Sequence, residues 1–205
     1  MFKKAFTLAE TLLVMAIIGI VATATIPNLM DSYQEDRDVA KLRGVYHDLE
    51  VAYAKAVAEY GPYDQWTGNK KDVLMKYLKA SPCGNSVINS CYPSGAVGNV
   101  KSSYKYELEN GVGLSINRKM TSIYVALGGA KGKTQAGRQI FLIKYSDANG
   151  IYPHGKGGDR NPSTGAFTSS YTGHTTATNW VITNGNMDYL RCADKLNWTN
   201  QTSCP

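Results

Sequence analysis

Hydrophobic positions along the chain follow three regimes, and each predicts a different element. From residue 12 to residue 30 almost every side chain is apolar, interrupted only by threonines and Asn28. Counted from Phe6 to Met30 the run spans 25 residues, enough to cross a bilayer as a tilted helix. The period then changes. Val39, Leu42, Tyr46, Leu49, Tyr53, Ala56 and Tyr60 recur at spacings of three and four, the stripe of an amphipathic helix. Charged residues such as Asp31, Glu35, Asp36, Arg37, Lys41 and Arg43 take the positions between. Gly61-Pro62 closes the pattern. Together the two stretches predict one helix of about 55 residues, roughly 80 Å long, with Pro27 expected to kink it where they meet.

Residues 70–80 predict a second, shorter helix with Val73, Leu74, Tyr77 and Leu78 on one face. Beyond the Cys83–Cys91 loop the period becomes two. Tyr104, Tyr106 and Leu108 alternate with polar residues, Asn110-Gly111 follows, and Val112, Leu114 and Ile116 resume the alternation. Asn-Gly between alternating runs is a strong hairpin signal. Residues 122–127 and 139–145 predict further strands. A Gly/Ser/Thr/Asn-rich stretch then runs from 147 to 178 and ends on a short strand expected at 180–183.

Composition refines this picture. Fourteen tyrosines and twenty glycines against four phenylalanines suit a β-rich extracytoplasmic module. The net charge of +6 is uneven. Residues 1–60 hold six basic and eight acidic side chains, a net of −2; residues 101–160 hold ten and four, a net of +6. Such a basic region either attracts polyanions or forms a solvated face whose lysines discourage edge aggregation. Four cysteines, Cys83, Cys91, Cys192 and Cys204, point to disulfides in an exported chain. Three connectivities are open, and nearest-neighbour pairing is the simplest. Zinc would need CxxC knuckles or nearby histidines, and His47, His154 and His174 are scattered, so no metal is expected on that ground.

The opening residues have three readings. As a signal peptide, Lys3-Lys4 form the basic start and Ala22-Thr23-Ala24 the cleavage site, but Glu10 then stands in the apolar core and the helical pattern outruns the cut. A plain signal anchor leaves Glu10 without purpose, at a cost of order 2.5–3.5 kcal/mol at mid-bilayer and less near the interface. The third reading uses every residue: Lys3-Lys4-Ala5-Phe6-Thr7-Leu8-Ala9-Glu10 before a long apolar run resembles the class III signal of type IV pilins and type II secretion pseudopilins. Two positions depart from that family, Ala5 standing for the usual glycine and Ala9 for a larger aliphatic residue.

The resemblance implies an α+β, pilin-like fold, in which the long N-terminal hydrophobic/amphipathic α-helix packs on a small, mostly antiparallel sheet of about four strands. Residues 1–5 become a leader, 6–30 the transmembrane and assembly helix, 31–60 its amphipathic continuation, and 61–205 a β-rich head with two local disulfide loops. A prepilin peptidase would cut between Ala5 and Phe6 and methylate Phe6. Glu10 would meet the new Phe6 amine, that of a neighbouring subunit in the filament or its own, and Pro27 matches the family's helix kink. The implied partners are the peptidase, other pilin or pseudopilin subunits in a helical filament, an inner-membrane assembly platform with its ATPase, and either DNA or a secreted substrate. The implied location is the bacterial inner membrane, single pass, with the head in the periplasm or outside. The C-terminal cysteine loop would close the chain against the sheet.

Some pseudopilins bind calcium in a C-terminal loop, and Asp147, Asn149 and Asp159 offer oxygen ligands around a glycine turn. An EF-hand's distal glutamate is missing, and Asp-Ala-Asn-Gly is also a good ordinary turn. No G-x-S-x-G elbow or phosphate loop occurs, so an enzyme is not expected. Two alternatives stay open: a DNA-uptake minor pilin using the basic head, and an exported soluble binding protein cut after Ala24.

Overall fold

A computed structural model describes residues 7–83, 91–96, 98, 103–147, 149–155 and 177–205. The chain divides into two units, Met1–Arg37 and Asp38–Pro205. The first helix, α1 (Leu8–Tyr60), has 53 residues, close to the expected length. Gly61 ends it with φ +78 and an N–H bond to the Val57 carbonyl at 2.9 Å, the left-handed cap for which glycine is suited.

Within residues 1–37 the large apolar side chains of α1 face outward; Leu12, Ile17 and Ile20 are 62%, 53% and 71% exposed. The threonine hydroxyls described in this stretch are satisfied on the helix itself. Thr23 and Thr25 hydroxyls donate to the carbonyls of Gly19 (3.0 Å) and Val21 (2.9 Å). An apolar segment with internally satisfied hydroxyls suits lipid. By length and composition α1 can cross a membrane.

Residues 38–205 are an α+β unit. Six strands form one antiparallel sheet in chain order: β1 (Ala80–Pro82), β2 (Tyr104–Leu108), β3 (Gly113–Ile116), β4 (Ser122–Ala126), β5 (Ile140–Ser146) and β6 (Gly150–Pro153). The Asn110-Gly111 turn joins β2 to β3 as expected, with Tyr106 opposite Leu114 and Tyr104 opposite Ile116. One face of the sheet gives Leu114, Ile116, Ile123, Val125, Phe141 and Ile143 to the core. Against it lie Val39, Leu42, Val45, Leu49 and Ala52 of α1. Each Val, Leu, Ile or Phe side chain among them, when fully buried, stabilises by about 1.5–3 kcal/mol relative to exposure.

The opposite face is partly covered as well, so all four residues of β3 are buried. Tyr92 and Ala96 pack there on Ala126 and Ile140. The Ser115 hydroxyl, also on that face, donates to the Gly98 carbonyl at 2.7 Å and pairs with the Ser103 hydroxyl at 2.8 Å.

Three expectations need correction. The second helix, α2 (Lys70–Met75), is shorter than residues 70–80, because Ala80–Pro82 leave it to pair with β2. Pro82 is tolerated because β1 is an edge strand. The sheet accordingly has six strands, not about four. Residues 180–183 are helical rather than extended, lying in α3 (Thr178–Asn184). The β-branched Val181-Ile182-Thr183 run favours a strand, but Ala177, Trp180 and Val181 are buried at helical spacing. Gly185, at φ +74, caps the helix by donating to the Val181 carbonyl at 3.0 Å. Packing overrides propensity there. A final short helix, α4 (Tyr189–Cys192), precedes the C-terminal loop.

Candidate functional site

Of the residues singled out at the N-terminus, Ala5 and Phe6 lie outside the described residues, and Glu10 lies within them. Glu10 is part of a reciprocal cap. The Thr7 N–H and hydroxyl donate to its Oε2 at 2.8 and 2.9 Å, and the Glu10 N–H points to Thr7 Oγ1 at 3.3 Å. This is a capping box: Thr7-Leu8-Ala9-Glu10 satisfies backbone donors at the start of α1 that have no partner within the helix. The box uses one carboxylate oxygen, and a carboxylate accepts at both. The spacing Thr-x-x-Glu ahead of an apolar run announces such a box, and Thr7 is the functional partner that attention to Glu10 alone overlooks. Pro27 lies inside α1, which stays helical across it.

The four cysteines pair as nearest neighbours. Cys83–Cys91 and Cys192–Cys204 both have Cα atoms 5.9 Å apart. The second bridge has further ties around it. The Cys204 N–H donates to Asp188 Oδ2 at 2.7 Å, and Asn186 Nδ2 donates to the Thr202 carbonyl at 2.8 Å. Trp180 Nε1 donates to Asn186 Oδ1 at 3.0 Å, and the Trp180 and Trp198 rings meet edge-on, 4.9 Å between centroids. Asp188 also holds Arg191. These groups seat residues 196–205 on α3 and α4.

At the other end of this unit, Glu59 ties α1 to the segment after α2. It accepts from Lys76 at 2.6 Å and from the Tyr77 hydroxyl. Those hydrogen bonds, Lys76 first, hold its carboxyl down at about 2. His154, just after β6, is pushed down to about 4, first by burial and then by the Lys144 ammonium.

The calcium expectation is divided. Asp159 lies outside the described residues; Asp147 and Asn149 sit in the β5–β6 turn. Asp147 Oδ1 accepts from the Tyr145 hydroxyl at 3.0 Å, and the Asn149 N–H points to the Ser146 carbonyl and hydroxyl at 3.3 and 3.2 Å. Among the described residues no group of three or more His, Cys, Asp or Glu side chains is arranged to hold a metal. Comparison of the chain with family models, with curated proteins and with solved structures finds no match.

Proposed function

We propose that the chain is a structural subunit of a type IV pilus-like filament or a type II secretion pseudopilus. It is inserted in a bacterial inner membrane as a single-pass precursor, cut between Ala5 and Phe6 by a prepilin peptidase, and methylated on Phe6. The observation that carries this reading is the pairing of two features at one helix end. An acid is fixed by a capping box at the start of α1, and an outward-facing apolar run follows directly. A soluble protein gains nothing by exposing such a run, and a plain anchor gains from Glu10 only a helix cap, which glutamine would give without placing a charge beside lipid.

In the filament the apolar runs of many subunits pack together. Glu10, presented by its cap, takes the Phe6 amine of a neighbouring subunit. Both charges are costly alone in an apolar core, and the pairing offsets much of that cost only when helices dock in register. Oε2 serves Thr7, leaving acceptor capacity at Oε1 for the ammonium. The assembly platform and its ATPase supply the energy. Two disulfides in the 38–205 unit support a head on the oxidising side of the membrane.

Mass spectrometry of the N-terminus of the mature chain tests the processing step. A chain beginning at N-methyl-Phe6 is expected; a chain beginning at Thr25 would make this an exported soluble protein instead. Glu10→Ala and Glu10→Gln then separate the two roles of the acid. Glutamine keeps a capping acceptor and loses the charge, so both variants should be cut normally and both should assemble poorly. Wild-type filament levels from Glu10→Gln would reduce Glu10 to a helix cap.

A further inference from the structure

An open cleft of about 640 Å³ lies where three loops of the 38–205 unit converge. Its volume is in the range of small-ligand sites. The start of α2 supplies Lys70, the β3–β4 turn supplies Arg118 and Lys119, and the β5–β6 turn supplies Asp147. Lys70 and the second turn thus meet at one cleft from positions some fifty residues apart in the chain, outside and inside the basic region of the sequence.

Two of these loops are braced. Lys70 Nζ donates to the Tyr63 carbonyl at 2.9 Å and stands 3.9 Å from the Tyr63 ring centroid. In the β3–β4 turn, Met120 is buried in left-handed backbone at φ +58, a conformation non-glycine residues seldom adopt and which recurs at sites that hold a turn in one shape. The Met120 N–H donates to the Asn117 carbonyl at 2.9 Å. The Asn117 side chain donates to Thr121 Oγ1 at 2.8 Å and accepts from the Ser122 N–H at 3.2 Å. Burying Met120 holds the exposed Arg118 and Lys119 of the same turn at the cleft.

Three cations and one carboxylate call for a ligand that carries negative charge and also hydroxyl donors. Single-stranded nucleic acid fits poorly. Bases need an open aromatic face, whereas the Tyr63 ring is flanked by Lys70 and by Tyr145, whose centroid is 4.0 Å away and which is itself buried. Asp147 would also oppose a run of phosphates, while it can accept a sugar hydroxyl. We propose that this cleft binds an acidic sugar residue of a polysaccharide, with Arg118 and Lys119 taking its carboxylate and Asp147 a ring hydroxyl. The site belongs to the head and is independent of how the N-terminus is processed.

The test titrates the full chain in detergent micelles with tri-galacturonate, with neutral galactotriose and with a thymidine hexanucleotide. Tri-galacturonate should bind with salt-sensitive affinity and galactotriose should not. The double variant Arg118→Ala/Lys119→Ala should weaken tri-galacturonate binding by at least ~10-fold, the scale of charge-assisted contacts. Asp147→Ala should weaken tri-galacturonate binding as well, through the lost hydroxyl acceptor. All three side chains are exposed, and an unchanged near-ultraviolet tryptophan spectrum verifies that the variants fold. No binding of tri-galacturonate, equal binding of galactotriose, tighter binding of the hexanucleotide, or an unaffected double variant would each overturn the assignment.

Discussion

Replacing Cys192 and Cys204 together by alanine removes a bridge that closes a loop of 12 residues. The chain-entropy relation puts the stabilisation from a loop of that length at about 3 kcal/mol, exerted chiefly on the unfolded chain. For a unit of this size each kcal/mol moves the thermal midpoint by about 2–4 °C, so the variant should melt roughly 6–12 °C lower. The folded loop should nonetheless stay seated. The Cys204 N–H bond to Asp188 and the Asn186 bond to Thr202 use backbone groups that the substitution leaves in place. Each is worth about 1 kcal/mol, more for the carboxylate, and the Trp180–Trp198 contact adds about as much. The assay is a thermal melt followed by near-ultraviolet circular dichroism, to which that tryptophan pair contributes. The expected result is a lower midpoint with an unchanged spectrum at 25 °C. A midpoint within 2 °C of wild type would refute the loop-entropy reasoning, and a spectrum lost at 25 °C would refute the seating by backbone ties.

Two further outcomes follow from burial and charge. Leu42→Ala, at a fully buried position of the core, should cost 38–205 about 2–5 kcal/mol in a denaturant titration, whereas Leu13→Ala, 62% exposed, should change it by less than ~0.5 kcal/mol; equal effects would mean the core is wrongly located. His154 is pushed down to about 4 in the folded protein, against an ordinary value near 6.5. The unfolded chain therefore binds the proton first as pH falls, and stability should drop between pH 6.5 and 4. The full shift corresponds to about 3 kcal/mol, and because His154 is only half-buried, screening lowers this to about 1–2 kcal/mol. His154→Asn should flatten that slope, and an unaltered slope would exclude His154 as its source.

Much of the fold is visible in local pattern. Gly61-Pro62 stops α1, and Asn110-Gly111 turns β2 into β3, because both are decided by backbone geometry over a few residues. The buried stripe of α1 lies one position away from the apolar periodicity in places. Val45 and Ala52 are fully buried and Tyr46 and Tyr53 only partly so, since tyrosine counts as apolar in a periodicity yet keeps its hydroxyl near water. β1 has three residues and no period to detect; its partner strand makes it. The Cys192–Cys204 pairing is the simplest of the three connectivities that the sequence leaves open, but the Asp188 and Asn186 ties are not visible there, and neither is the convergence of Lys70 and Arg118 on one cleft. Contacts between distant loops leave no trace in a single sequence. The capping box did leave one, and it was hidden by the charge of the residue that completes it.

The strict chain order of the sheet has a kinetic meaning. Each strand pairs only with its immediate predecessor and successor; the β2–β3, β3–β4 and β5–β6 connections are short turns, and the sheet can grow by addition at one edge. Such local topology speeds folding. For a chain synthesised from its N-terminus, the amphipathic part of α1 is already present as a template when β1 emerges. Every later strand then arrives to find its neighbour in place, and little unpaired sheet edge stands open to another chain along the way.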